Sequence, residues 1–228
     1  VLRSEFPRYL YRGQFPELVI NDRLAPIDYL QSLLDQVINF DIDYIHTKLD
    51  RTLFFNVFKA LSFSIANEYS ISRLSLDLGA DRREVTEYIK IFEETGLFAT
   101  CFNGYFRKLR AKLSGAKKMY TYNTNLTLAV NGFDQSYLSD RRVFGQYVEN
   151  YVYLRLLTAG ENVEYYRDGD KEADFIVGDR VYEVKSGDVG DTRGYQEIAR
   201  KLKKKLVVVT ENLYDKDDGI TYLPWYLL

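Results

Sequence analysis

The sequence predicts a mixed α/β (α+β) fold, helical in its first half and built on strands in its last third. Three observations lead there. Apolar side chains recur at helical spacing over residues 27–37 and again over 53–65. Residues 70–96 then read as two capped helices joined at a glycine. From residue 143 onward, helical and alternating segments follow in the order α-β-β-β-α-β.

Each element has a local cause. In RYLYRGQFPELV, Gly13 and Pro16 mark a turn, and a helix follows through Ile27, Tyr29, Leu30, Leu33, Leu34 and Val37. Residues 1–50 thus form a helical lead-in with no chemistry of their own. The next helix carries Leu53, Phe54, Val57, Phe58, Leu61 and Ile65. Ser70 is placed to cap a short helix that ends at Gly79, and Asp81 to cap a third helix through Val85, Tyr88, Ile89, Ile91 and Phe92, stopping at Gly96. Aromatic-rich strands follow, with turns at Asn103-Gly104 and Ser114-Gly115. A helix-turn-helix followed by such strands is a winged helix, expected over residues 51–125. The third domain, residues 126–228, has a helix at roughly 143–158, a strand at 163–167, the hairpin EADFIV-GD-RVYEVKSG, a helix at 192–204 and the strand LVVVT.

Composition excludes several chemistries. The chain has 228 residues, 46% of them hydrophobic, enough for two small domains. With one cysteine and one histidine there is no disulfide framework, no usual zinc site, and no Ser-His-Asp set around His46. Any metal chemistry must run on carboxylates. No apolar run reaches the roughly 18 residues that a spanning helix needs, so no membrane partner is expected. No signal peptide is visible, which points to the cytoplasm.

The net charge of −2 conceals an uneven distribution. It is −3 over residues 1–50, +5 over 51–125 and −4 over 126–228. The positive excess lies on the expected wing, in Arg107, Lys108, Arg110, Lys112, Lys117 and Lys118, with no acid among them. The helix that would read DNA carries Glu84, Glu87, Glu93 and Glu94. DNA contact is therefore expected through the wing and to the phosphate backbone. Self-association or a protein partner on the winged helix is the alternative.

The turn of the hairpin fixes its register. If Gly178-Asp179 is the two-residue loop, Val177 pairs with Arg180, Ile176 with Val181, Phe175 with Tyr182, and Asp174 faces Glu183. Lys185 shares the Glu183 face, and Phe175, Val177, Tyr182 and Val184 form an apolar face opposite. Two carboxylates that close repel unless a cation lies between them, and Mg²⁺ (or Mn²⁺) prefers such oxygen ligands. Glu149 shares a helix side with Val152 and Leu156 and is a candidate third ligand. Asp174, Glu183, Lys185 and Glu149 are thus the candidate catalytic residues, the three acids also being candidate metal ligands. An exposed Asp-Glu-Lys cluster paired across strands is the simpler alternative.

At these residues the sequence resembles the restriction-endonuclease-like superfamily and its PD-(D/E)xK motif. The resemblance matches Asp174, Glu183 and Lys185 to the motif, Glu149 to its helical acid, and Tyr195-Gln196 to a position that some members use near the site. Ala173 stands where the motif usually has proline. The series RGQFPE, winged helix, KMYTYN, GQYVEN, YYRDGDKEADF and YEVKSG is similar to the C-terminal half of a family of prokaryotic AAA+-type ATPases, with Asn123 where relatives tend to have an acid. The resemblance implies a Mg²⁺-dependent endonuclease on DNA, or a catalytically silent nuclease fold used for DNA or protein binding. A transcription regulator built on the winged helix is a third reading. No G-x-x-x-x-G-K-[ST] motif occurs, so the resemblance puts ATP binding in a domain upstream of Val1.

Overall fold

The computed structural model describes residues 2–37, 49–106, 108, 113 and 115–228; His46, Arg107, Arg110 and Lys112 lie outside the described residues. The chain adopts the expected mixed α/β class. It forms two compact units, residues 1–99 with 121–140, and residues 100–120 with 141–228.

The first unit is helical: α1 (Leu2–Arg12), α2 (Pro16–Ile20), α3 (Pro26–Gln36), α4 (Arg51–Phe63), α5 (Ile71–Leu78), α6 (Arg82–Glu94) and α7 (Thr124–Val130), with the short strand β1 (Glu68–Tyr69). Pro16 and Pro26 each open a helix, where a missing N–H costs nothing. Ser70 caps α5 by accepting from the Arg73 amide, Gly79 ends it at φ +63°, and Asp81 caps α6 by accepting from the Arg83 amide. Phe54, Phe58, Phe92 and Phe98 pack their rings 4.5–5.7 Å apart and are buried. This cluster holds α4 against α6. Helix α7 is buried along its whole length, and the Thr124 hydroxyl donates to the Leu10 carbonyl at 2.9 Å.

The strands β2 (Phe98–Phe102) and β3 (Lys117–Thr121) pair side by side. From Thr100 to Tyr120 they belong with the second unit. Within the described part of this stretch, the Gly104 amide donates to the Tyr165 carbonyl at 2.8 Å and Asn103 hydrogen-bonds to Arg167.

The second unit adds α8 (Arg141–Thr158), β4 (Glu164–Asp168), β5 (Lys171–Val177), β6 (Arg180–Val184), α9 (Arg193–Leu202), β7 (Lys205–Thr210), β8 (Asp215–Asp217) and β9 (Ile220–Pro224). Its six-stranded sheet has the order β4-β5-β6-β7-β9-β8. The β4, β5 and β6 strands are antiparallel neighbours, β7 runs parallel to β6 and β9, and β8 closes antiparallel on β9. The β6-α9-β7 crossover needs a helix because parallel neighbours cannot be joined by a tight turn. Residues Leu206–Val209 of β7 are buried throughout, as a central parallel strand requires.

Strand β5 carries a bulge. Glu164 pairs with Ile176 and Tyr166 with Ala173, so Tyr165 alone stands opposite both Asp174 and Phe175. Ala173 and Ile176 accordingly both pack toward α9, in a core with Val181, Ile198 and Leu206, although an unbroken strand would send them to opposite faces. Phe175 goes the other way, its ring 5.8 Å from that of Tyr153 on α8. The outer edge of β4 is covered by the end of β2. Asn103 bridges to Tyr165, its amide donates to the Arg167 carbonyl at 2.9 Å, and its carbonyl accepts from the Arg167 amide at 3.1 Å. Gly104 follows because a Cβ there would lie 2.8 Å from the Glu164 carboxylate.

Asn103→Ala strips both groups of Arg167 of a partner and uncovers the β4 edge. Urea unfolding should show a loss of about 1–3 kcal/mol with an unchanged m-value.

Candidate active site

Four elements of the second unit bring ionisable side chains together. Gly145 lets α8 pass close to the turn after β6, since a Cβ there would meet the Ser186 hydroxyl at 3.0 Å. One turn further on, α8 presents Glu149. Strand β5 supplies Glu172 and Asp174, β6 supplies Glu183 and leads into Lys185, and β3 supplies Lys118 and Tyr120. The Lys185 amide donates to the Val209 carbonyl at 2.8 Å, which fixes the backbone of this lysine to β7.

The β5–β6 register is the expected one as far as Phe175↔Tyr182, with Ile176↔Val181 and Val177↔Arg180 around Gly178 at φ +52°. The expected Asp174–Glu183 pair is not part of the ladder, because the bulge falls at Asp174 and Phe175. Just beyond the last of these pairs, Asp174 accepts from the Val184 amide at 2.7 Å. Its other oxygen lies 3.9 Å from the Lys118 ammonium. Lys118 reaches Glu149 at 3.1 Å and Glu172 at 2.9 Å, with its side chain only 5% exposed. Tyr120 donates to the same Glu149 oxygen at 2.7 Å and stacks on Tyr153 at 4.1 Å. On the other side, Lys185 donates to Glu183 at 2.7 Å and to the Tyr195 hydroxyl at 2.9 Å. Arg167 flanks Glu172 at 3.7 Å.

Carboxyls outnumber ammonium groups in this cluster, and burial holds them above their ordinary range. Burial and the Asp174 carboxylate push Glu149 up to about 8, although Lys118 and the Tyr120 hydroxyl pull it back. Burial and Asp174 likewise push Glu183 up to about 8, against the pull of Lys185. Asp174 itself is raised by burial, in spite of Lys118, the Val184 amide and Lys185. Burial disfavours both ammonium groups. Glu149, Asp174 and Glu172 nevertheless hold the Lys118 pKa above its ordinary value, and Glu183 does the same for Lys185.

Asp174, Glu183, Lys185 and Glu149 are thus assembled in one place. Tyr195 joins them, whereas Gln196 turns away to Asp218 at 3.2 Å. The basic-patch expectation needs a correction at Lys118, which is buried and ion-paired inside the cluster and offers nothing to a phosphate. Lys117 is half-buried, with its ammonium 5.4 Å from the Phe102 ring centre, and Lys108 is exposed. Sequence reasoning missed Lys118, Tyr120 and Glu172 as members of the site. Their signals were an alternating K-x-Y on a strand and an acid two residues before Asp174.

Among the described residues, no three acidic, cysteine or histidine side chains converge tightly enough to cage a metal ion. A hard divalent ion such as Mg²⁺ does not require that, since it commonly keeps several waters and one or two carboxylates. The donor set here fits such an ion: oxygen ligands only, more carboxyls than ammonium groups, and raised carboxyls that would release protons on binding it.

In metal-free buffer the raised carboxylates have a stability consequence of definite sign. Between the ordinary 4.5 and about 8, Glu149 and Glu183 hold more proton in the folded chain than in the unfolded one. Their contribution to stability therefore falls as pH rises through that window. The thermal midpoint should drop between about pH 5.5 and about pH 8.5, and Glu149→Gln should flatten the slope. Identical slopes in the two proteins would refute the assignment.

Two family models match the chain, and their junction brackets the division between the units at Asp140/Arg141. One, Domain of unknown function (DUF4143), covers residues 144–228 and is a domain found in C-terminal parts of AAA-ATPase-like proteins. No curated protein and no solved structure matches the chain. The other model spans residues 3–137, more than half of the sequence, and the chain accordingly belongs to the family described as Domain of unknown function (DUF8612).

Proposed function

We propose that the second unit is a restriction-endonuclease-like domain that cleaves DNA phosphodiesters with a divalent metal, as the C-terminal part of a larger AAA+-type ATPase. The observation that carries this reading is the meeting of Asp174, Glu183, Lys185 and Glu149 in one patch, where carboxyls outnumber ammonium groups and are held above their ordinary pKa. Asp174 and Glu183 would hold the ion, with Glu149 beside them. When bound, Mg²⁺ or Mn²⁺ supplies Lewis-acid polarisation of a phosphoryl oxygen and a more acidic water.

The protein's own residues have separable tasks. The Val184 amide fixes one Asp174 oxygen and leaves the other to face the cluster. Glu183 and Tyr195 hold the Lys185 ammonium, which can orient an attacking water or stabilise charge developing on a phosphate oxygen. Exposed Lys108 stands in the basic run 107–118 and would meet the DNA backbone.

One observation favours a second reading, a silent fold that only binds. Lys118 already neutralises part of the acidic cluster.

Incubating the chain with supercoiled plasmid and with single strands in Mg²⁺ or Mn²⁺ separates the two. Metal-dependent nicking should appear and fall by about 100-fold or more in Asp174→Asn and Lys185→Ala. Undiminished cleavage by Asp174→Asn rules out the mechanism. Salt-sensitive binding with no cleavage in either metal supports the silent fold.

A further inference from the structure

The K-x-Y segment of β3 has no task in the reaction outlined above, yet both of its polar side chains end on Glu149. Lys118 is the more telling of the two. Its ammonium has three donors and no acceptor. Carboxylate oxygens of Glu149 and Glu172 lie at 3.1 and 2.9 Å, a third from Asp174 lies at 3.9 Å, and the Tyr165 ring centre is 5.6 Å away. Those acids come from α8 and β5, so a charge delivered from β3 sits among groups of two other elements. Burying a lysine this deeply is costly unless it is paired. The packing that surrounds it is specific: Tyr120, two residues on, is fully buried and locked between Tyr153 and Glu149.

We infer that Lys118 is a built-in cation that fills one of two cation positions in the acidic site, the one between Glu149, Glu172 and Asp174. A divalent ion is thereby confined to the other position, on Asp174 and Glu183. The inference deepens the metal-dependent reading and rests on it for the second position only. Lys118 is a positioning residue on this account: it touches neither substrate nor ion, and it sets how many ions the site accepts. It also keeps Glu149 and Glu172 engaged, so that Asp174 is left to bridge the two halves of the cluster.

The test is the number of Mn²⁺ ions bound per chain, measured by calorimetry and by loss of the free-ion electron-spin signal. Lys118→Met, close in length and uncharged, should bind one ion more than the parent, whereas Lys118→Arg should bind the same number as the parent. Lys118→Met leaves the acids unpaired, so its thermal midpoint should lie below that of the parent without metal and recover in saturating Mg²⁺. An unchanged count in Lys118→Met, an extra ion in Lys118→Arg, or a Lys118→Met chain that stays unfolded in Mg²⁺ overturns the inference. The parent's own count bears on the metal site alone. One ion agrees with the proposed metal site. No ion sinks that site, and a gain of one ion in Lys118→Met would still stand as evidence that the lysine occupies a cation position.

Discussion

Carboxylates cannot be gathered out of water without countercharge, and the second unit is organised around that constraint. Its sheet and α8 bring Glu149, Glu172, Asp174 and Glu183 to one place, where their mutual repulsion adds to the cost of desolvation. Two lysines answer it from opposite sides, Lys118 from β3 and Lys185 from the end of β6. Removing either partner of such a group leaves a buried charge unpaired, which costs far more than the pair contributes to stability. The site is better described as electrostatically obligatory than as a source of stability. Stability comes instead from the apolar layers around it, above all from Val181, Ile198, Leu206 and Val208 under α9.

The first unit follows a different logic. Its helices are punctuated by local chemistry, with prolines at two helix starts and side-chain caps at three others. Arg12 holds the second turn of the lead-in by donating to the carbonyls of Leu18, Asn21 and Leu24 at 2.9–3.2 Å. A helix-turn-helix framework also does not by itself specify what it binds, and the acidic run on α6, with Lys90 paired to Glu94 at 3.4 Å, gives nucleic acid little purchase.

Much of this was legible in the sequence because it is local. Ser70, Gly79 and Asp81 announce helix ends through their own side chains or lack of one, and Gly178-Asp179 sets the hairpin register within a few residues. The order from α8 to β7 follows from the same periodicities, whereas the closing strands β8 and β9 were not read from the sequence. What was not legible is what depends on distant partners. Lys118 looks like any other cation in a basic run until Glu149 and Glu172, more than thirty residues away in sequence, are known to surround it. The allegiance of residues 100–120 to the C-terminal sheet is likewise decided by contacts such as Asn103 with Arg167, which no local pattern reports.

The bulge opposite Tyr165 makes the length of β5 as consequential as its composition. Because two residues share one partner there, Ala173 and Ile176 stay in phase across the bulge although they are three positions apart, and both Asp174 and Phe175 are accommodated opposite Tyr165. A point substitution leaves that phase intact, however damaging it is to the side chain concerned. Loss of the codon for Asp174 would instead restore a regular ladder with Glu172, Ala173 and Ile176 on their present faces, so the strand would keep its packing and lose a carboxylate. Homologous chains can therefore be expected to differ by one residue at the bulge more readily than elsewhere along β5, where a gain or loss would exchange the two faces.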